Sequence, residues 1–230
     1  MDQARDDRVA AVAALEEPTR RRVYDHVARQ PEAVTRDEAA TALGLPRTTA
    51  AFHLDRLADA GLLDVVFERR SGRSGPGAGR PAKLYRRSTR QVQVSIPERQ
   101  YELAAGLLAA ALADADRTGQ KPRSILDRRA RQLGRRIGQA VREGQNKGRV
   151  DLDTALQVLE DQGFEPRTDG TSIYLGNCPF HTLARQHQEL VCGMNLSLLT
   201  GLLDGLATTE LRARLNPTPD HCCVHLEPRR

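Results

Sequence analysis

The sequence predicts a mostly α-helical protein with small β parts, organised as two functional halves joined by helices. Aromatic residues make up only 3% of the 230 residues and tryptophan is absent, so the cores must consist of Leu, Val, Ile and Ala. The abundance of Ala, Leu and Arg favours helices. The chain is long enough for two domains with separate cores. A basic N-terminal stretch and a C-terminal stretch that holds every cysteine distinguish the two halves.

Two short helices joined by a tight turn are predicted between Thr35 and Leu62. Thr35 followed by Glu38 forms a capping box, in which each side chain satisfies a free backbone N–H at a helix start. Gly44 ends the first helix, and Pro46 suits the first turn of the second. The second helix then repeats an apolar face up to Gly61. That face consists of Ala50, Leu54 and Leu57.

Two helices with a glycine in the turn form a helix-turn-helix, whose second helix can enter the major groove of DNA. We expect this helix to run from about Pro46 to Ala60. Arginine reads guanine edges or phosphates, while threonine and phenylalanine meet bases or thymine methyl groups. The alternative is an ordinary helical hairpin with a solvated basic face. The residues predicted to contact DNA are Arg47, Thr48, Thr49, Phe52, His53 and Arg56.

A strand, a long loop and a second strand follow the helix-turn-helix. Residues 62–68 and 82–86 are apolar or β-branched, and the loop between them is rich in Gly, Ser, Pro and Arg. From Arg69 to Arg90 there are eight Lys or Arg and no acidic residue. Such one-signed charge favours a wing that binds the DNA backbone or minor groove, and a solvated flexible loop is the alternative. The wing residues predicted to contact DNA are Arg69, Arg70, Arg73, Arg80 and Lys83.

The distribution of charge supports a nucleic-acid partner. The net charge is +5, and residues 1–90 hold 17 Lys or Arg against 13 Asp or Glu, whereas residues 91–230 hold 18 against 17. Three cations, Arg20 to Arg22, lie at a predicted helix start, where they either contact phosphate or are solvated. We see neither an apolar run of membrane-spanning length nor a signal-peptide pattern, so we expect a cytoplasmic protein without a membrane partner.

Three segments together resemble the winged-helix regulators of the broad ArsR/DeoR-like group: EEPTRRRVYDHV, TTAAFHLDRLADAGLL and GAGRPAKLYRR. The resemblance covers residues 1–90, which we interpret as a winged helix-turn-helix domain. It implies a transcriptional regulator that binds double-stranded operator DNA as a homodimer.

Residues 91–149 are predicted to form linking helices that also dimerise the protein. One helix runs from Pro97 to about Ala115, and another follows Ser124. Gly134 and Gly138 lie four residues apart on the second helix, so they would allow another helix to approach closely.

Residues 150–230 are predicted to form an α+β sensor domain. A helix ends near Gly163, and the dipeptide Asp169-Gly170 lies between two short apolar stretches as a hairpin turn. We expect a helix to start at Cys178-Pro179, another to cover 196–206, and a last strand to run from Cys222 to Leu226.

All four cysteines and four of the six histidines lie from Cys178 onward. Cys178 is expected near a helix N-terminus, which favours its thiolate, and its spacing to His181 resembles that of a metal-ligand pair. On one straight helix Cys178 and Cys192 would be about 21 Å apart, so a shared site requires a break near residues 186–189. Cys222 and Cys223 would point to opposite faces of a strand, so only one of them is expected to join.

The segments around these cysteines, NCPFH, LVCGMN and CCV, resemble the sensor domain of SufR-like regulators. The resemblance implies an iron–sulphur cluster and DNA binding by the loaded protein. It implies Cys178 and Cys192 as ligands, with Cys222 or Cys223 as the third and a histidine (His181 is one candidate) or a carboxylate as a possible fourth. The spacing departs from expectation, since 13 residues separate the first pair but 29 separate Cys192 from Cys222.

Other interpretations of the cysteines stay open. Static disulfides are not expected in a cytoplasmic protein. The thiols could hold iron–sulphur or zinc, act as a redox switch, lie beside an organic effector, or be small core residues without a cofactor. We predict no enzymatic activity, because the chain has no phosphate-binding loop, dinucleotide fingerprint or nucleophile elbow, and nothing orients Cys178 with His181 as a thiol catalyst.

Overall fold

The computed structural model describes residues 2–68, 81–145, 150–207, 211–217 and 221–229. It confirms the predicted fold class of a mostly helical chain with small antiparallel sheets. The chain divides into two compact units, Met1–Val94 and Ser95–Arg230. Each unit has a hydrophobic core of its own.

The first unit packs four helices against a small sheet of strand order β1-β3-β2, all pairs antiparallel. Its core joins Val23 and Val27 of the second helix to Leu54 and Leu57 of the fourth. Tyr85 of the last strand closes this core. The elements are α1 (Asp2–Ala13), α2 (Pro18–Ala28), β1 (Val34–Thr35), α3 (Arg36–Leu43), α4 (Arg47–Asp59), β2 (Leu63–Glu68) and β3 (Ala82–Arg87).

Two of the arginines at the start of α2 donate hydrogen bonds to carbonyl groups near the ends of other helices. The Arg21 guanidinium donates to the carbonyl of Leu15 at 2.8 Å, and that of Arg22 donates to the carbonyl of Leu43 at 3.3 Å. Both bonds satisfy carbonyl groups near helix C-termini, which lack intrahelical partners. Arg21 and Arg22 therefore have a structural role in the first unit.

The second unit packs five helices around an antiparallel sheet of order β4-β5-β7-β6. The helices expected to link the two halves belong to this unit and contribute to its core. The elements are α5 (Tyr101–Thr118), α6 (Pro122–Gly144), α7 (Leu152–Asp161), β4 (Pro166–Asp169), β5 (Ser172–Leu175), α8 (His181–Gln186), α9 (Gln188–Leu206), β6 (Leu211–Leu215) and β7 (Val224–Pro228).

Four glycines hold α6 against α9. A Cβ atom on Gly134 or Gly138 would overlap backbone carbonyls of α9, and one on Gly201 or Gly205 would overlap backbone carbonyls of α6. The close approach predicted from Gly134 and Gly138 is therefore made to another helix of the same chain. Dimerisation through this region stays a prediction.

Helix α9 is the central core element of the second unit. By length and composition alone it could cross a membrane, with 19 residues and a mean hydropathy of 1.2, but 61% of that window is buried inside the unit. Leu199, Leu202 and Leu206 are among the buried residues. Its apolar composition is thus explained by packing.

Two boundaries near the cysteines differ from the sequence prediction. Helix α8 begins at His181, so Cys178 and Pro179 lie in the preceding turn. Strand β7 begins at Val224, so Cys222 and Cys223 both precede it. The expected break between Cys178 and Cys192 is present, because α8 ends and α9 begins on either side of His187.

Candidate functional site

The helix-turn-helix is fixed by local hydrogen bonds. The Thr35 hydroxyl accepts the Glu38 N–H at 3.1 Å, and the Thr35 N–H donates to the Glu38 carboxylate at 2.7 Å, which completes the predicted capping box. Gly44 ends α3 with φ of 65°, a left-handed conformation that glycine adopts without a steric penalty. Pro46 is the N-cap residue of α4, one position before the helix.

The two faces of α4 differ in burial. Ala50, Leu54 and Leu57 are fully buried and fix the helix against the core. On the other face, Phe52 is an exposed aromatic side chain with 58% of its surface accessible. A single exposed apolar side chain is common on protein surfaces, so the position of Phe52 on this face, and not its exposure alone, makes it a candidate contact. The predicted DNA-contact residues that lie exposed on this face are Arg47, Thr48, Phe52 and Arg56, and Thr49 is half-buried.

His53 does not belong to that exposed face, and the prediction that it is available to DNA is wrong. Its surface is 8% exposed, and its Nδ1 lies 3.5 Å from the carboxylate of Glu17. Hydrogen bonds from the N–H groups of Thr19 and Arg20 lower the pKa of Glu17, which caps α2. The imidazole instead packs edge-on to the Phe52 ring, with centroids 5.3 Å apart.

Arg47 is paired within the free protein. Its guanidinium donates to the Asp37 carboxylate at 3.1 Å, and the two side chains are 61% and 58% exposed. Such an exposed pair contributes little to stability. It does hold the Arg47 side chain at the start of α4, where base contacts of a recognition helix are made.

Lys83 is held by α4 rather than left free for phosphate. Asp55 accepts hydrogen bonds from the Lys83 ammonium at 2.5 Å and from the Tyr85 hydroxyl at 2.6 Å. Burial raises the pKa of Asp55, but these two hydrogen bonds outweigh it and keep the pKa below its ordinary value. The same contact with Asp55 raises the pKa of Lys83. The network ties α4 to β3. Four other predicted wing contacts lie outside the described residues: Arg69, Arg70, Arg73 and Arg80.

Four thiols come together in the second unit from three separate segments. Cys178 lies in the turn before α8, Cys192 in the first half of α9, and Cys222 and Cys223 in the loop before β7. Cys192 and Cys222 are buried, and the other two are half-buried. None of the four forms a disulfide.

The thiols of Cys178 and Cys222 form one pair in which each side chain shifts the pKa of the other. The pKa of Cys178 is lowered, first by the hydrogen bond from the Cys222 thiol and then by the N–H of Phe180 and the charge of Arg99, although burial raises it. The pKa of Cys222 is raised, because its proton is engaged by Cys178 and because it is buried. The predicted preference of Cys178 for thiolate thus has a different cause from a helix dipole.

Cys192 and Cys223 form the second pair. Burial, followed by the hydrogen bond with Cys223, raises the pKa of Cys192 to about 12. Electrostatic interactions also link Cys192 to Cys178 and Cys222 to Cys223. The two pairs therefore form one cluster of four thiols (Cys178, Cys192, Cys222 and Cys223), which is called the thiol group below. Neither Cys222 nor Cys223 lies on β7, so strand alternation does not decide which of them joins a site, and the expectation that only one joins stays a prediction.

Polar side chains that the sequence did not single out surround the thiol group. The Asn195 amide donates to the Cys222 sulfur at 3.3 Å, and the Gln188 amide lies 3.9 Å from the Cys223 sulfur. Asn195 is 1% exposed, and an asparagine buried in an apolar helix is the sequence signal that could have identified it. His181 is exposed, and its contact with Cys178 is a backbone N–H to carbonyl bond at 3.0 Å.

The donor chemistry of the thiol group fits a soft metal or an iron–sulphur cluster, since thiolates are their preferred ligands. The four thiols are arranged as two pairs and are not directed at one common point. Among the described residues, no three His, Cys, Asp or Glu side chains are already arranged to hold a metal ion. Binding would therefore require the two pairs to regroup.

Comparison with known proteins identifies the first site. Residues 15–66 match the family model of a helix-turn-helix domain, a stretch that runs from before α2 into β2. No curated protein and no solved structure matches the chain. The second unit has no assigned family. The N-terminal part of this protein is therefore a helix-turn-helix domain, a domain type typical of DNA-binding transcriptional regulators.

Proposed function

We propose that this protein is a sequence-specific transcriptional repressor whose operator binding is controlled by an iron–sulphur cluster or a metal at the thiol group. The observation that carries the proposal is the meeting of all four cysteines, from three distant segments, in the unit that does not contain the helix-turn-helix. Chance placement would rarely bring every cysteine of a chain together.

At the DNA end, the exposed face of α4 would enter the major groove. Arg47 would exchange Asp37 for a guanine edge, and the wing arginines would bind phosphates without regard to sequence. A homodimer would place two such helices on the two half-sites of an operator. The cytoplasm is the compartment consistent with this function.

At the sensing end, Cys178 and Cys192 remain the first candidates for ligands, and Cys222 and Cys223 would both contribute sulfur. Arg99 would offset the negative charge of several thiolates, since its charge already favours the thiolate of Cys178. A bound iron–sulphur cluster supplies redox chemistry, whereas zinc supplies only a crosslink between segments.

The test compares loaded and unloaded protein on one operator. Protein purified without oxygen is analysed for iron, sulphide, zinc and visible absorption, and its operator is selected from random duplexes. We expect cluster-dependent absorption and a difference in operator affinity that Cys192→Ser abolishes together with the absorption. A colourless, metal-free protein that binds its operator in full and ignores added iron and sulphide would contradict the sensing part alone.

The pairing of the thiols favours a second candidate, a redox switch. Hydrogen peroxide could oxidise the two pairs to the disulfides Cys178–Cys222 and Cys192–Cys223. For each disulfide formed, two thiols lose two protons and two electrons and one hydrogen peroxide is reduced to two waters. Mass spectrometry would then detect the loss of four hydrogens. Operator affinity that follows this loss in metal-free protein would establish the switch, and unchanged affinity would exclude it.

A further inference from the structure

Residues 95–100, here called the connecting segment, follow directly on the first unit. They are hydrogen-bonded to residues 177–179, the thiol loop, which carries Cys178. The first unit ends at Val94 and the second begins at Ser95. Within a few residues of that boundary, the backbone N–H of Gln100 donates to the carbonyl of Pro179 at 3.0 Å. The covalent path from the helix-turn-helix domain into the second unit therefore reaches the thiol loop almost at once.

Asn177, the residue before Cys178, makes the central contacts. Its amide nitrogen donates to the carbonyl of Glu98 at 3.0 Å and to that of Gly163 at 2.6 Å. Its amide oxygen accepts from the guanidinium of Arg99, which also donates to the carbonyl of Cys178 at 3.3 Å. Both ends of one side chain are thus used to join the connecting segment to the thiol loop.

The surroundings make this junction tight. Asn177 is 6% exposed, so losing its partners would leave buried polar groups unsatisfied, which is costly. Gly163 has φ of 81°, and a Cβ atom there would lie 2.8 Å from the Cγ of Glu98 and 3.5 Å from the Cγ of Pro179. Glycine is therefore required at this position both by its backbone conformation and by the packing of the connecting segment.

From these contacts we infer that Asn177 and Arg99 form a latch that transmits the state of the thiol group to the connecting segment. The inference rests on the proposed function. Any regrouping that moves Cys178 must move the adjacent Asn177, and the amide then pulls on Glu98 and Arg99. Both are positioning residues, since Asn177 acts through its neighbours and Arg99 adjusts Cys178 through charge and the backbone. A coupling between two sites needs such an element, whose arrangement both sites can bias.

The test measures coupling in the full chain. Wild type and Asn177→Ala are reconstituted with ferrous iron and sulphide without oxygen, and operator affinity is measured with and without loading. The wild-type ratio of the two affinities should lie in the roughly 5- to 150-fold range of allosteric couplings. In Asn177→Ala we expect the ratio to fall to within about twofold of one while iron and sulphide content is retained.

Ser95→Ala is the matched control. The Ser95 hydroxyl donates to the carbonyl of Pro97 at 2.9 Å, a bond inside the connecting segment that does not reach the thiol loop. This variant should keep the wild-type ratio. Arg99→Lys keeps a positive charge near Cys178 but loses the planar guanidinium. It should load like wild type and show a reduced ratio.

The outcomes separate the latch from the proposed function. A wild-type ratio of one overturns both, because no signal exists to transmit. A responsive wild type with an equally responsive Asn177→Ala and Arg99→Lys overturns only the latch. If Asn177→Ala does not fold, hydrogen exchange of the Gln100 amide in wild type decides: protection that differs between loaded and unloaded protein supports the latch, and equal protection rejects it.

Discussion

Phe52 is an exposed aromatic residue on α4. Its ring is more than half accessible and packs against the imidazole of His53, whose Nδ1 lies 3.5 Å from the Glu17 carboxylate. A preoriented aromatic ring in a major groove is suited to contact the methyl group of a thymine.

Replacing Phe52 by alanine should therefore remove one thymine preference. Operator duplexes are prepared in which uracil, which lacks the methyl group, replaces each thymine in turn. Loss of one buried methyl is worth about 0.8 kcal/mol, so wild type should lose about fourfold in affinity at one position. The Phe52→Ala protein should be indifferent to the same replacement.

Phe67 provides the matched control for this experiment. It lies on β2 and is 62% exposed, but it is not on the recognition helix. Phe67→Ala should keep the wild-type response to uracil. Equal indifference of both variants, or a wild type that ignores every uracil, would show that Phe52 reads no methyl group.

His53 shows what the sequence could have revealed at this scale. Together with Ala50, Leu54 and Leu57 it completes an i, i+3, i+4, i+7 pattern, which is the buried stripe of a helix. The polarity of histidine favours the exposed face, whereas this spacing favours burial. The pattern was the better guide, since Glu17 and Phe52 provide partners for a buried imidazole.

At the scale of elements, the α6–α9 crossing depends on glycine. The Cβ atom of an alanine at Gly201 would overlap the backbone carbonyl of Arg131, and neither backbone can yield without separating the helices. Overpacking of a core typically costs about 1–3 kcal/mol. We expect Gly201→Ala to lower the free energy of unfolding by at least this amount in chemical denaturation.

Gly106→Ala on α5 is the matched control, because a Cβ atom there would meet no other atom within 4 Å. It should stabilise the protein by roughly 0.5–1 kcal/mol, the usual gain from alanine over glycine inside a helix. A similar effect of both substitutions would mean that the two helices are not as close as described.

The sequence predicted most elements of the second unit but not the assembly of its thiols. The hairpin at Gly170 and the interruption at His187 follow from local signals. The sequence predicts Cys222 and Cys223 on the last strand, but that strand begins only at Val224. The N–H of Cys222 bonds to the carbonyl of Leu175, a tertiary contact that no local pattern reveals. The pairing with Cys178 and Cys192 depends on that contact.

At the scale of the whole molecule, basic charge and the helix-turn-helix occupy the same unit. Each phosphate that the protein neutralises contributes about 0.9 to the slope of log affinity against log salt. The number of phosphate contacts made by the predicted wing can therefore be measured from this slope. Replacing Arg70 and Arg73 by alanine should weaken binding to all duplexes and flatten the slope by about 1.8. The discrimination between operator and random DNA should change little.

An equal change of charge in the second unit is the control. Arg117 and Arg123 are exposed arginines of α5 and α6, and their replacement by alanine should leave the slope unchanged. A slope that responds equally to both pairs would mean that the wing does not contact phosphate and that only net charge matters.

The fold class was predictable because it follows from composition and periodicity. The sequence did not predict that α5 and α6 belong to the core of the second unit, because an amphipathic pattern does not show which surface a helix packs against. Gly134 and Gly138 indicated a close partner, but the partner glycines of α9 lie in a stretch that resembled only an apolar helix.

The thiol group has a consequence for how much of this protein a cell contains. Its four sulfur atoms belong to segments far apart in the chain, so a ligand that joins all four binds the folded second unit more tightly than the unfolded chain. A ligand present at 100 times its dissociation constant adds about 2.7 kcal/mol to the stability of the form that binds it. Unloaded molecules would unfold more often and be degraded sooner. Supply of the ligand would thus set the copy number of the regulator as well as its affinity for DNA.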